Sequence, residues 1–483
     1  MFFIILHLLF MLFSLLHAIS DHPILIVVSF DAFRYDYFSK KVTPNLSKLK
    51  ERGSYADYIN NVFPTKTFPN HHTIATGLYA ENHGVLGNGF YDSVKKVSFK
   101  LSYELFHYDE TIIPIWRLNE MSGRDRFSGS MMWPGSAYEY QGKLPTYLQK
   151  FDTDLNWYKR VDTVLNWIEN PKRPANLVML YFEEPDTHGH AFGPKSKEVV
   201  EMLQRLDNVS YYLHEQLKRK GLSNRVNVIH LSDHGMTTVT PSNFIDFTKY
   251  LRPNTYQIAC TSPALHVIPN FGMEEEIYGL LKNASEDIGH FAVYQKSEIP
   301  SRWRFKNNPR VPPIYVVADE GYAFQDMYES VKYYSARYGF KVRNDSEFGV
   351  HGYDNQLPSM RPFFMAIGPQ IKANHKVAPF NTVDLFTLFC AILNIKSTRH
   401  DGVYSNIETI LVGYHGSMVP IIVIIVGGVA LALLLIICAA VATLLIIKRQ
   451  QNITTTAALN KRFPQNFTHS TIEAQHLLEP EDA

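Results

Sequence analysis

The chain has 483 residues, 46% hydrophobic and 19% charged, an ordinary globular balance with room for one large or two modest domains. A net charge of +1 excludes a general attraction to nucleic acid. Twenty histidines beside 46 acidic residues are raw material for metal ligation and prompt a search for clusters.

The chain opens on an apolar run to about residue 16, with Ala18 and Ser20 fitting a small-residue cleavage site. Residues 1–20 therefore read as a signal peptide. The missing basic flank leaves an uncleaved anchor as the alternative. "ILIVVSF" (Ile24–Phe30) then runs into Asp31, "NLVMLYF" (Asn176–Phe182) into "EEPDTHGH", and "VNVIHLS" (Val226–Ser232) into "DHG"; "PFFMAIG" (Pro362–Gly368) is a fourth run. Short continuous apolar runs suit strands buried on both faces of a largely parallel sheet. Helical patterns lie between them. "TPNLSKLKERG" has an early proline and a terminal glycine, and the long stretch from Ser196 stops at Gly221. Alternation of the two makes the class α/β, with the ligand site beyond the carboxyl ends of the strands. Residues 240–352, rich in aromatics and prolines, read as an irregular insertion or cap.

Residues 418–447 carry no charge and exceed the ~20 apolar residues that a span requires. Lys448 and Arg449 follow at once, which places residues 448–483 in the cytosol and the body, 21–410, outside. The polar tail is expected to be unstructured. Within it, "EAQHLL" with Glu473, Leu477 and Leu478 resembles an acidic dileucine signal read by a sorting adaptor, and would imply cycling between surface and endosomes. A chance pair of leucines is the plainer reading. Asn45, Asn208, Asn283 and Asn344 open N-x-S sequons on the luminal side and are expected glycosylation sites. Outside the span only Cys260 and Cys390 remain; one disulfide or two buried thiols both fit.

The chemistry gathers at the predicted strand ends. Asp31, the D-x-x-x-H pair Asp186 and His190, the adjacent Asp233 and His234, and His351 are carboxylates and imidazoles, the donors zinc takes when thiolates are absent. Singly each has a plainer reading as a helix cap, a turn residue or a solvated histidine. Together with the turn "NVFPTKTFPNHHT" they raise the question of an activated hydroxyl, because threonine needs a base or a metal to act as a nucleophile.

The motifs "SFDAFR", "PTKTFPNHHTIATGLYAENHGVLGN", "WPGS", "YFEEPDTHGHAFGP", "LSDHGM" and "HGYDNQLPSMRPFF" resemble, in order, those of the ectonucleotide pyrophosphatase/phosphodiesterase family of the alkaline phosphatase superfamily, in its short type I membrane branch. The resemblance implies an alkaline-phosphatase-like sheet and two zinc ions, one held by Asp31, Thr67, Asp233 and His234, the other by Asp186, His190 and His351. It implies Thr67 as nucleophile, a phosphothreonine intermediate, and Asn88 donating its amide to the phosphoryl oxygen. Phe68 and Phe151 would stack a nucleobase, with Tyr181 lining the same pocket. Thr65 and Lys66 would shape the turn, with Lys66 in reach of a phosphate. Ala32 stands where the family usually has glycine, and Ala137 where relatives often carry an acid. The expected activity is hydrolysis of extracellular nucleotides (NAD, dinucleoside polyphosphates, ATP) to nucleoside 5′-monophosphates at the plasma membrane. A choline or lysophospholipid phosphodiesterase, or a weakly catalytic receptor on the same scaffold, are the alternatives.

Overall fold

The computed structural model describes residues 19–413 and 419–462. At its centre is β1 (Ile24–Phe30), a strand of seven residues with every side chain buried. A strand covered on both faces has no solvent side to alternate toward, which is why its sequence is an unbroken apolar run. The other strands of this sheet are β2 (Ser54–Ala56), β3 (Phe127–Met131), β4 (Tyr147–Gln149), β5 (Ala175–Phe182), β6 (Val226–Leu231), β7 (Phe364–Ile367) and β8 (His375–Val377). Their order is β8-β2-β7-β6-β1-β5-β3-β4. β1 pairs in parallel with β5 and β6, and the register sets Phe30 opposite Phe182, so their carboxyl ends finish level. β7, the fourth apolar run, is antiparallel to both of its neighbours.

Helices cover the sheet. α1 (Thr67–Thr76) starts at the threonine-rich turn and ends at Gly77, whose φ of 69° suits the left-handed stop that glycine adopts freely. α2 (Asp186–Phe192) follows β5 directly. α3 (Lys197–Arg219) buries Val199, Leu203, Leu206, Val209, Leu213 and Leu217 at helical spacing. Its Ser196 Oγ accepts from the Val199 amide at 3.2 Å, a cap typically worth ~1 kcal/mol. Asp207 of α3 in turn accepts the Asn45 and Leu46 amides at 3.2 and 2.7 Å, capping the helix Pro44–Arg52.

The stretch read as irregular is ordered. Tyr256–Ala259, Ala264–Pro269, Ile314–Ala318 and Phe291–Gln295 form a four-stranded antiparallel sheet in that spatial order. Helix Glu274–Ile288 and α4 (Met327–Tyr338) accompany it, over a core that includes Phe247, Leu265, Leu281, Val316 and Phe324. Phe348–Val350 pairs with Thr237–Val239 and delivers His351 next to the sequence that follows β6. Cys260 and Cys390 are free thiols.

The second unit of the chain, His415–Ala483, contains the helix Val419–Arg462. Its segment Gly427–Thr454 is long and apolar enough to cross a membrane. The helix does not stop at Ile447 but continues through Arg462, against the expectation of an unstructured tail from Lys448. Extending an existing helix needs no new nucleus, and Ala457, Ala458 and Leu459 are good helix formers. The signal-peptide segment up to residue 18 and the Leu477–Leu478 pair lie outside the described residues.

Candidate active site

The site forms where β1, β5 and β6 end. Asp31 follows β1, and its backbone N–H donates to the Phe182 carbonyl at 3.0 Å. The turn after it is strained: Ala32 has a φ of 57°, left-handed for a residue with a β-carbon. That conformation aims the Ala32 N–H at Asp233 Oδ1, 3.2 Å away. Asp233 and His234 follow β6, Asp186 and His190 lie one turn apart on α2, and His351 follows the strand Phe348–Val350 that pairs with Thr237–Val239.

Three histidines share one arrangement. His234 Nδ1 contacts the Gly235 carbonyl at 2.8 Å, His190 Nδ1 the Gly349 carbonyl at 2.8 Å, and His351 Nδ1 the Thr65 carbonyl at 2.8 Å. A carbonyl only accepts, so each Nδ1 carries the proton. Burial holds His234 below the ordinary imidazole range and His351 well below it, so both rings are neutral near pH 7. The Nε2 lone pairs of His234 and His351 therefore face carboxylates, whereas at His190 burial is outweighed, chiefly by the charge of Asp186, and the ring is raised above the ordinary imidazole range. His234 Nε2 lies 3.3 Å from Asp31 Oδ1 and 3.1 Å from Asp233 Oδ2, while His190 and His351 Nε2 lie 3.3 and 3.4 Å from Asp186 Oδ1. Those same three carboxylate oxygens are buried and receive no hydrogen bond. Acceptors facing acceptors repel unless a cation stands between them. Burial, with the charges of Asp233 and Asp186, also raises Asp31 well above the usual carboxylate range, the mark of a crowded anionic pocket. The donor set fits divalent metal. Ligand atoms of Asp31, Asp233 and His234, and of Asp186, His234 and His351, fall within 4.8 Å of one another. The first group brings together three of the four residues expected at one ion, Asp31, Asp233 and His234; the fourth, Thr67, has its Oγ 3.3 Å from His234 Nε2. In the second, His234 takes the place expected for His190, which reaches the group through Asp186.

Thr67 is the first residue of α1, where unpaired amides and the helix dipole favour an anion such as phosphate. Its Oγ lies 3.3 Å from His234 Nε2 and 3.3 Å from Asn88 Nδ2. Asn88 is held for this by its other end, where Oδ1 accepts the Phe68 N–H at 2.8 Å. Thr65 does more than shape the turn. Its buried hydroxyl donates to the Tyr353 carbonyl at 3.0 Å and accepts from the Gly352 N–H at 2.9 Å, clasping the Thr67 turn to the His351 loop. Lys66 turns away from the site: its ammonium donates to the Ser262 carbonyl at 2.5 Å and to Thr261 Oγ at 3.1 Å, and burial lowers it to about 8.

A cavity of about 290 Å³ opens beside Thr67, lined by Phe68, Phe151 and Tyr181 together with Leu101, Trp133 and Tyr138. Phe151 is 59% exposed at the rim of the cavity, with its ring 6.4 Å from that of Tyr181. The Tyr181 hydroxyl donates to Asp31 Oδ2 at 2.5 Å, so one side chain both lines the cavity and orients a carboxylate. Sequence reasoning passed over His71. It is fully buried, with Nδ1 2.9 Å from the Thr67 carbonyl and 3.3 Å from Asp233 Oδ2, and Nε2 2.9 Å from Ser29 Oγ. Its place four residues after Thr67, one turn along α1, was the available signal.

A threonine hydroxyl at a helix N-terminus, faced by two carboxylate–imidazole groups on an alkaline-phosphatase-like sheet, defines a hydrolase of phosphoric esters or anhydrides. The chain belongs to the type I phosphodiesterase/nucleotide pyrophosphatase family, whose model matches residues 25–354. It is 35% identical over 404 residues to human ectonucleotide pyrophosphatase/phosphodiesterase family member 5, covering 83% of this chain and 80% of that protein. It is likewise 35% identical over 395 residues to human bis(5′-adenosyl)-triphosphatase ENPP4, covering 81% and 82%. Among solved structures, an inactive threonine-to-alanine variant of murine family member 5 in complex with AMP aligns with a TM-score of 0.72 at 36% identity, over 81% of this chain and all of that one.

Proposed function

We propose that this protein is a zinc-dependent ecto-enzyme that hydrolyses phosphodiester and pyrophosphate bonds of nucleotides, releasing nucleoside 5′-monophosphates through a phosphothreonine intermediate. The observation that carries the reading is the position of Thr67 Oγ, between His234 Nε2 and the Asn88 amide, beside carboxylate oxygens that lack donors. Asp31, Thr67, Asp233 and His234 would hold one zinc ion, and Asp186, His190 and His351 the other. Bound there, zinc would lower the pKa of the Thr67 hydroxyl and offset charge on the phosphoryl oxygens. Thr67 Oγ bonds to phosphorus as the bond to the leaving oxygen breaks in line with it. The Asn88 N–H donates to a non-bridging oxygen. Water then hydrolyses the phosphothreonine ester, returning the Thr67 hydroxyl and freeing the nucleoside monophosphate.

Phe68 and Phe151, with Tyr181, would hold the retained base by stacking, which tolerates any base. NAD, dinucleoside polyphosphates and ATP are the substrates proposed. The relatives support this choice: one is a bis(5′-adenosyl)-triphosphatase and another was captured with AMP. The test is the full chain in detergent, assayed on these nucleotides and on p-nitrophenyl-thymidine-monophosphate against p-nitrophenyl-phosphorylcholine. Release of nucleoside monophosphate, with the thymidine ester the better chromogenic substrate, is expected; preference for the choline ester would overturn the reading.

The body is proposed to lie outside the plasma membrane, with the apolar helix as a type I anchor, because Lys448 and Arg449 follow the apolar segment. Exposure of Asn208, Asn283 and Asn344 supports glycans at those positions. Asn45 is half-buried with its amide donating to Asp207 Oδ2 at 2.8 Å, so a glycan there would require that contact to loosen. Leu477 and Leu478 are proposed as a sorting-adaptor motif that returns the enzyme through endosomes.

A further inference from the structure

α4 lies beside α2, the helix that carries Asp186 and His190. The Tyr334 ring is parallel to His190, within 10°, at a centroid distance of 6.3 Å. Tyr338 anchors the helix, 4.9 Å from Phe192 and 5.9 Å from His188. Successive ring contacts lead from Tyr334 back to the nucleophile. His190 is 5.0 Å from His351, His351 stacks on His234 at 3.7 Å, and His234 Nε2 is 3.3 Å from Thr67 Oγ. The aromatic cavity of Phe68, Phe151 and Tyr181 lies at the Thr67 end. Its wall stops at Asp186 and Thr187 and includes neither His190 nor Tyr334.

Displacement at phosphorus places the attacking and leaving oxygens roughly in line. Attack by Thr67 Oγ puts the leaving oxygen on the side of phosphorus away from Thr67, and the ring contacts through His351 and His190 run in that sense toward α4. What it meets there is not a bare phosphate site. Tyr334 is only partly buried, its ring 5.5 Å from that of exposed Tyr333, whose hydroxyl accepts from Arg337 at 2.7 Å. A phenol face with a guanidinium nearby complements a planar ring carried on phosphate.

We propose that α4 forms a leaving-group subsite in which Tyr334 stacks the second base of a dinucleotide, so that substrates with a ring on both sides of the scissile phosphate are preferred. The proposal rests on the reading of the protein as a nucleotide phosphodiesterase. It assigns Tyr334 a role in specificity, not in the bond-making step.

The test compares kcat/KM for diadenosine triphosphate, whose leaving group is a nucleotide, with that for ATP, whose leaving group is pyrophosphate. The full chain is used as wild type, Tyr334→Ala and Tyr334→Phe. The expected result is a fall of about tenfold in the diadenosine triphosphate to ATP ratio for the alanine variant. The phenylalanine variant, which keeps the ring, holds the wild-type ratio. A parallel fall on both substrates would mean that Tyr334 only steadies His190, and overturns the proposal, as does an unchanged ratio in the alanine variant. Wild-type protein that cleaves neither nucleotide would instead sink the underlying assignment of function. Wild-type cleavage with a flat ratio across variants would sink the subsite alone.

Discussion

Replacing Asn88 with aspartate separates its two contacts. Asn88 Oδ1 accepts the Phe68 N–H at 2.8 Å, which fixes the start of α1, and Nδ2 points at Thr67 Oγ from 3.3 Å. Asn88→Asp keeps an oxygen for the first contact and removes the donor of the second. Losing one preorganised donor to a developing oxyanion costs about 10²- to 10³-fold in kcat, or about 3–4 kcal/mol of transition-state stabilisation. The new carboxylate also repels a phosphoryl group, so the loss should reach at least the lower figure. Asn88→Ala should lose similar activity and, in addition, about 1 kcal/mol of stability from the unpaired Phe68 N–H. Steady-state release of nucleoside monophosphate from diadenosine triphosphate gives kcat, and urea unfolding of the same preparations gives stability. Turnover within threefold of wild type in the aspartate variant would refute the role given to Nδ2. Equal stability of the alanine variant and wild type would refute the role given to Oδ1.

Thr67→Ala should abolish turnover and leave the unfolding midpoint near wild type; measurable turnover would remove Thr67 as nucleophile. Thr65→Ala should lower stability by about 2 kcal/mol, because a buried carbonyl and a buried N–H both lose their partner, and urea unfolding reads that directly. EDTA should inactivate the enzyme and zinc restore it, with two zinc ions per chain by elemental analysis; one or none would defeat the two-metal assignment, and His351→Ala and Asp186→Ala should each lose metal and activity together. Acidification should destabilise the fold through His72 and His266, which are fully buried, have no partner on either ring nitrogen, and are pushed down by burial to about 3. The depressed folded value means the unfolded chain binds the proton first, so stability is complete above about pH 6.5 and is lost as pH falls. At pH 5.5 each ring should cost about 1.4 kcal/mol, and a flat unfolding free energy between pH 7 and 5.5 would contradict this.

The sheet was readable because β1, β5 and β6 are buried on both faces and leave continuous apolar runs. β7 shows the limit of that signal: burial on both faces writes the same kind of run whichever way the strand points, and β7 points backward. The carboxylates and imidazole that gather at the candidate site were readable because Asp31, Asp186, Asp233 and His234 each follow a strand closely in sequence. His71 was not, since an internal helical histidine is usually structural and only folding brings it to Asp233. The cap sheet escaped for a different reason. Ala264–Pro269 pairs with Ile314–Ala318 across a helix and another strand, so nothing local marks the partnership. Thr65 was legible as a turn residue, while its clasp on Gly352 and Tyr353 joins positions far apart in the chain.

The position of β1 also sets a timetable for biosynthesis. β1 is the first strand of the sheet made, yet both of its neighbours, β5 and β6, come far later, and its backbone has no strand to pair with until then. Between Phe30 and Leu231 the ribosome adds roughly 200 residues, which at ~5–20 residues per second takes roughly 10–40 s. For that interval a sticky central strand waits without its sheet. Chaperones in the compartment of synthesis have a defined client segment here, and a nascent chain stalled before β5 should be the form they retain most strongly.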